Sequence, residues 1–522
     1  MLARRRRAAG AFGIMNQQIS ARAPGLSRVH LVFLALLIFG AAIRLSFFNS
    51  LTLDTQISVL PWFNQLAAAG FQGLGVDTVD AEGRTMGNYA PPYYYLLLAG
   101  TAFDGLLQPL WIVKLITVVF EALGAFFAFK IVRMRFSEER ALFAAAIMLL
   151  APTAIANSAW WGQCDMIWTS LLMGSFYFTE RRKPMAAVAM FTIALALKAQ
   201  AFFFAPYLFM LFVRGEIPWR AVLVAPVLFV LLMVPAVIAG QTWEHVLTVY
   251  ARQGNRFDEL AMNAPNLYYF FRYNLSVYAT VVPIGLALTA IVSFVLAVLP
   301  RLRKTDLTPD ARLLAAAMFL ALSPFLLPKM HDRYFFAADM FTILLAFTIP
   351  RLWFVPVAMQ ISSLLSYLPI AIIMATGHMQ SWSIPFAALL NAVTVSYLVY
   401  EYWRACTRSG VQIAPTRPVI VAWATVILAN VAWLSLGAWH AGALQSMCPA
   451  SGLVDTLICQ RDIPLDVKWG TWRHMLMYLA VFAASFVVVW FAVALARKWP
   501  WAEWTAQTQA KLRSALLGRA PA

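Results

Sequence analysis

Charge and cysteine are both scarce in this sequence. Charged residues fill 12% of its 522 positions, 62% are hydrophobic, and mean hydropathy is +0.72. Soluble domains carry about 25% charged residues, so a soluble globular enzyme and a disordered chain are both excluded. Four cysteines supply neither a zinc cluster nor a disulfide scaffold. A glycine-rich phosphate loop is missing, and so is any evident internal repeat, so no nucleotide fold is indicated. What the chain has in abundance is long apolar runs, and these predict a polytopic membrane protein.

The runs are of helical length, whereas barrel strands are short and alternating, so an all-α architecture is expected. The first run, 29–48, follows Arg4-Arg5-Arg6-Arg7, Arg22 and Arg28. It reads as an uncleaved signal anchor that starts in the cytoplasm. Further spans of roughly 20 residues are expected at 110–131, 141–158, 163–179, 219–239, 277–299, 311–326, 334–349, 352–374, 384–401, 418–438 and 474–496. The stretch 185–213 is too long for one upright span and is interrupted by Lys198-Ala199-Gln200, which predicts two short spans meeting at an outer turn. Segment 93–107 is expected to be re-entrant or interfacial. A full crossing there would put the basic loop Arg133–Arg140 outside, against the positive-inside rule. About fourteen crossings follow, with both ends inside. The 40 basic against 23 acidic residues, net +17, then mark orientation rather than a nucleic-acid partner.

This topology leaves three large outer segments, 49–92, 240–276 and 439–473, and two polar outer turns. Asp54 opens the first segment, which also carries Trp62 and closes with Asn88-Tyr89-Ala90-Pro91-Pro92-Tyr93. Its aromatics are either interface anchors or part of a functional surface, and Asp54 is either a solvated helix cap or a functional acid. The turn Trp160-Trp161-Gly162-Gln163-Cys164-Asp165 puts an acid and an amide where the chain re-enters the bilayer. An ionisable group at such a depth is costly and points to function. Lys329-Met330-His331-Asp332-Arg333-Tyr334 gathers cations on the side that basic residues avoid. Such a cluster either binds phosphate or pyrophosphate, since arginine offers a fork and lysine a point charge, or anchors the loop to lipid headgroups. Lys198 breaks the same rule, either as part of that anion site or by snorkelling to the interface. The mixed charges of 240–276, among them Arg256 and Asp258, predict a solvated flap.

In this order, Asp54, Trp161-Gly-Gln-Cys-Asp165, Lys198-Ala-Gln200, Asn263-Ala-Pro-Asn266-Leu and Lys329-Met-His-Asp-Arg-Tyr334 resemble motifs of the GT-C superfamily of polyprenyl-phosphate-sugar-dependent glycosyltransferases. The likeness is greatest to bacterial proteins related to the second GPI mannosyltransferase, and it covers roughly 29–350. It implies a GT-C-like module there, after a basic cytoplasmic N-terminus (1–28). Further transmembrane helices follow at 351–496, and a cytoplasmic tail at 497–522. It also implies transfer of a sugar, mannose as the family-weighted guess, from a polyprenyl-phosphate donor to a hydroxyl of a glycan or lipid-linked acceptor. The setting would be the outer face of a bacterial inner membrane, with inversion, no cofactor and no metal. Asp54 would be the base, or Asp165 in its place. Lys198, Gln200, Lys329, His331, Arg333, Gln163, Trp161 and Tyr93 would bind substrate, with His331, Arg333 and Lys198 as cations on the leaving phosphate. Relatives carry glutamate where this chain has Asp332, and the shorter carboxylate reaches less far.

Cys448 and Cys459 lie in the last outer segment and permit a disulfide, worth about 3 kcal/mol in the chain-entropy model. Arg44 and Glu121 inside predicted spans are expected to pair with Lys114 or a lipid phosphate. A lipid-linked-sugar flippase or transporter is the competing class.

Overall fold

The computed structural model describes residues 28–76, 89–254, 259–271, 278–376 and 381–407. The arginines at 4–7 and 22, Asn88, Arg256, Asp258, the Cys448–Cys459 pair and the spans expected at 418–438 and 474–496 lie outside the described residues.

The described residues form helices α1 (Arg28–Phe47), α2 (Leu60–Ala69), α3 (Pro91–Gly100), α4 (Pro109–Arg133), α5 (Glu138–Leu150), α6 (Asp165–Glu180), α7 (Pro184–Leu197), α8 (Ala205–Val213) and α9 (Val224–Ala239). They continue with α10 (Tyr278–Leu302), α11 (Pro309–Leu326), α12 (Phe336–Thr348), α13 (Phe354–Thr376) and α14 (Ser383–Thr407), with shorter turns between. Among the described residues seven helices are long and apolar enough to cross a bilayer, and the bent pair Glu138–Leu150 and Pro152–Trp160 makes an eighth. The all-α polytopic expectation therefore holds. Helices α11 and α12 are buried along most of their length and form the centre. By contrast α1 leaves Leu31, Leu34, Ile38 and Phe39 exposed, as a lipid-facing helix should.

Breaks in the helices shape the end of the bundle where the polar turns lie. Helix α5 stops at Ala151, the residue before Pro152, because proline drives its predecessor out of the α region. The chain then bends by 43° into a π-turn at Ala156–Trp160. The run 184–213 breaks at Lys198, which is extended (φ −155°, ψ 133°), as the sequence predicted. Helix α3 has ten residues, so it rises about 15 Å and spans half of a bilayer core of about 30 Å. It is a short helix packed inside the bundle, where the Tyr95 hydroxyl enters the backbone ladder of α9 beside Pro235. That hydroxyl donates to the Leu232 carbonyl at 3.0 Å and accepts from the Ala236 N–H at 3.1 Å.

Part of the segment expected to be a solvated flap is packed instead, whereas Trp243, Glu244 and Leu247 within it are exposed. Strand β1 (Ala261–Met262) pairs in parallel with β2 (Met330–His331), and Leu260, Ala261, Ala264 and Asn266 are buried. The Asn266 side chain explains why. Its amide donates to the Leu327 carbonyl at 2.9 Å, and its Oδ1 accepts the Tyr268 N–H at 3.0 Å.

Two charges inside the bundle, Arg44 and Glu121, are matched to each other. Arg44 Nε lies 2.6 Å from Glu121 Oε2, and the Ser158 hydroxyl donates to Glu121 Oε1 at 2.6 Å. These two residues pair with each other rather than with Lys114 or a lipid. The Lys114 ammonium instead donates to the carbonyls of Phe47 and Ser50, at 2.8 and 2.7 Å, closing the end of α1. At the opposite end of the helices Arg312 joins Glu180 (2.9 Å) and Glu216 (2.7 Å), and Arg135 joins Asp310 (2.7 Å). Truncating one partner of a buried pair costs about 3–5 kcal/mol, whereas an apolar pair of similar volume is often neutral. Glu121→Leu is therefore expected to lower the melting temperature of the detergent-solubilised protein sharply. Adding Arg44→Met should restore most of it, and an equally unstable double variant would rule out the unpaired charge as the cause.

Candidate functional site

The residues that carried the sequence argument meet at one end of the bundle. Asp165 opens α6, Lys198 closes α7, and Arg333 follows α11. Helix direction alternates, so these positions face away from the end where Arg312, Glu180 and Glu216 pair.

Asp165 is fully buried and both its oxygens are engaged. Oδ1 lies 2.5 Å from Lys198 Nζ and accepts the Trp168 indole N–H at 3.1 Å. Oδ2 accepts the Asn157 amide at 2.8 Å and stands 3.6 Å from Arg333 Nε. A carboxylate with no exposed surface and two cations against it is closed to an incoming hydroxyl, so Asp165 as the base does not fit this geometry; it anchors two cations. Its burial is tolerable only because those cations and donors replace water.

Asp54 is different: its side chain is 45% exposed. Its Oδ2 accepts from Trp161 Nε1 at 3.1 Å, Gln163 Nε2 at 2.9 Å and Arg333 NH1 at 3.4 Å. It caps no helix through its side chain. Three donors on one oxygen fix the carboxylate plane and leave Oδ1 outside these bonds.

The support for Asp54 comes from two facing π-turns, Thr55–Val59 and Ala156–Trp160. Such turns insert an extra residue into a helix and often sit at functional sites. The hydroxyls of Thr52 and Thr55 both donate to the Trp161 carbonyl, at 2.8 and 2.7 Å. Gly162 follows at φ +76°, where a Cβ would come within 2.9 Å of the Thr55 hydroxyl. That explains glycine in Trp-Gly-Gln: both the backbone angle and the close approach of the first loop exclude a side chain.

Arg333 spreads over the whole site. Its guanidinium lies 5.4 Å from the Trp161 ring centroid, and NH1 is 3.5 Å from Asp332 Oδ1. Its Nε is buried and has no hydrogen-bond partner among the described residues. Asp54 and its other acidic neighbours push the Arg333 pKa above its usual value despite burial, so it stays charged. His331 goes the other way: burial first, then Arg333 and Lys198, hold it well below its ordinary value. It is a neutral imidazole rather than the expected cation. Burial pushes the Asp332 carboxyl up to about 7, against the pull of Arg333 and with a push from Asp54.

The other residues expected at the site mostly support it from behind. Tyr93 and Trp62 are buried in an edge-to-face cluster with Tyr89 and Tyr94, so they pack the wall rather than offer a face to sugar. Trp161 is buried against Tyr367, its ring centroid 5.2 Å away, and acts through its indole N–H. Gln163 is likewise buried and holds Asp54. Gln200 is buried against the Tyr334 hydroxyl, with its Oε1 unpartnered among the described residues. Lys329 is half-buried at φ 64°, and its N–H donates to the Leu260 carbonyl at 2.7 Å, so it shapes the loop.

Sequence reasoning missed Asn157, Trp168 and Tyr89. Tyr89 lies under the Lys198 ammonium, 5.4 Å from ring centroid to Nζ. Trp168 was legible as the i+3 neighbour of Asp165; Asn157, hidden behind a bend, was not.

No protein-family model matches the sequence, and no curated protein matches it. Among solved structures the chain is similar to ArnT from Cupriavidus metallidurans, a crystal structure with undecaprenyl phosphate bound. Identity is 12% over 88% of this chain and 77% of that one, with a TM-score of 0.45. Similarity of that degree assigns no activity to this chain.

Gly162→Ala tests the coupling of the two π-turns. A strained left-handed residue costs about 1–3 kcal/mol, and the methyl group also meets Thr55. The variant should melt earlier, and Gly162→Ala/Thr55→Ala, which relieves the contact but not the φ, should recover only part of the loss.

Proposed function

We propose that this chain is a membrane glycosyltransferase of GT-C type that moves a sugar from a polyprenyl-phosphate donor to an acceptor hydroxyl. The observation that carries the reading is the contrast between the two carboxylates. Asp54 is half-open with one oxygen held by three donors, beside the cations Lys198 and Arg333 that the buried Asp165 holds in place.

Such a site suits one displacement. The acceptor oxygen attacks the anomeric carbon while Asp54 Oδ1 takes its proton. The bond from the anomeric carbon to the phosphate oxygen breaks, and the polyprenyl phosphate leaves with the electron pair. A preorganised cation stabilises the charge that grows on the leaving oxygen. The orphaned Nε–H of Arg333 and the Lys198 ammonium are the donors available for it. Direct displacement implies inversion. The donor brings its own activated leaving group, so the reaction draws on no nucleotide. Mannose is the sugar the motif resemblance favours, and the acceptor is a glycan or a lipid-linked glycan. The positive-inside pattern supports an outward-facing site in a bacterial inner membrane.

A general base contributes about 10²–10⁴-fold. In proteoliposomes supplied with polyprenyl-phosphate-mannose, Asp54→Asn should lower kcat by that factor with little change in donor KM. Lys198→Met combined with Asp165→Asn, which leaves no unpaired buried charge from the pair, should instead raise donor KM. Transfer that survives Asp54→Asn unchanged would remove Asp54 as the base, and donor movement across the bilayer without transfer would favour a flippase.

A further inference from the structure

Arg333 faces three carboxylates, and only two of them, Asp54 and Asp165, have a task in the displacement. NH1 stands 3.4 Å from Asp54 Oδ2 and 3.5 Å from Asp332 Oδ1, while Nε is 3.6 Å from Asp165 Oδ2. The same guanidinium nitrogen therefore serves the proposed base and a second, buried acid. Asp332 is held rigidly, since its carbonyl accepts the Ser366 hydroxyl at 2.8 Å. The ionisable groups around it are Arg333 and His331 on its own loop, Asp54 on the first loop, Asp165 on α6 and Tyr367 on α13. Lys198 and Arg333 balance Asp54 and Asp165, and His331 is neutral. The charge of Asp332 thus decides whether the cradle is neutral or carries one net negative charge.

We infer that Asp332 is a positioning residue that sets the affinity of the site for an anionic phosphodiester through Arg333, so that the donor is held when Asp332 is neutral and loosened when it is ionised. This rests on the glycosyltransferase reading and adds to it a residue that touches no reacting atom. The sign follows from the electrostatics. The Asp332 carboxyl, raised to about 7, is mostly neutral at pH 6 and mostly ionised at pH 8. Ionisation adds a negative charge beside an anion site and draws NH1 of Arg333 toward Asp332. A phosphodiester donor keeps its own charge across that range, so a change in affinity belongs to the protein. A unit charge a few ångströms away, at an effective dielectric of about 20, weakens binding by far more than tenfold, so the apparent Kd follows the neutral fraction of Asp332, which falls about tenfold between pH 6 and pH 8.

The test uses the full chain in nanodiscs and a short-chain polyprenyl-phosphate-mannose diester, with Kd measured by tryptophan fluorescence at pH 6 and pH 8. The wild-type Kd should rise about tenfold between the two values. Asp332→Asn should give the same Kd at both, and Asp332→Glu, which retains a titrating carboxyl, should restore the rise. A wild type with no rise, or an Asp332→Asn variant with the wild-type rise, overturns the role of Asp332 and leaves the transferase reading standing. A wild type that binds the diester at neither pH overturns the transferase reading, and this inference with it. Should Asp332→Asn not fold, the wild-type and Asp332→Glu profiles still decide: a flat wild type, or a flat Asp332→Glu beside a rising wild type, counts against the proposal.

Discussion

A buried ion pair between Asp165 and Lys198, 2.5 Å apart, is the contact on which the site end of the bundle depends. Neither residue is tolerable alone, because an isolated charge among apolar helices costs several kcal/mol. The pair therefore fixes where α6 must begin and where α7 must stop. It also explains why the 184–213 run is broken at Lys198 and not elsewhere. The extended residue takes its side chain off the apolar helix face and brings it to the carboxylate. Arg333 joins from a third element, so the pair is the point at which helices distant in sequence are brought to a common register.

Because Asp165 spends both oxygens on structure, Asp54 is the carboxylate that the geometry leaves open. The division comes from environment and not from residue type. One aspartate is enclosed by two cations, an amide and an indole; the other is held on one edge only and left open on the second. The fixed carboxylate plane of Asp54 is set by donors whose own positions depend on the Thr52 and Thr55 bonds to Trp161.

Much of the helical architecture is legible in the sequence, since run length and apolarity dictate helices in a bilayer. The break at Lys198 is legible for the same reason: a lysine in an apolar run must leave it or find a partner. The cluster Asp54, Trp161, Gln163, Asp165, Lys198 and Arg333 could be gathered because charge on the side that basic residues avoid has few explanations. The roles within the cluster were less legible. Residue type does not tell a buried acid from an open one, so Asp165 and Asp54 read as interchangeable. Trp161 and Tyr93 read as sugar platforms, since an aromatic near an interface looks the same whether its face is open or packed. Arg44 and Glu121 lie 77 positions apart, and no local spacing could join them. His331 reads as a cation because its neutrality comes from burial, Arg333 and Lys198, and only the folded chain brings Lys198 close.

The segment 259–271 shows the same limit from the other side. The mixed charge of 240–276, of which it is a part, suggests a solvated flap, yet Leu260, Ala261, Ala264 and Asn266 are buried, and the chain pairs as a strand with Met330–His331. A short parallel pairing is weak by itself. Here it is reinforced by the Asn266 bonds to the end of α11 and by the Leu260 carbonyl accepting the Lys329 N–H. The loop that carries Arg333 is thus clamped at its entry by a distant stretch of chain. A guanidinium that must face three carboxylates within 3.6 Å cannot be placed by a free loop. The Asn263–Asn266 motif therefore acts on the site through the backbone: its work is to hold the loop from which Arg333 reaches.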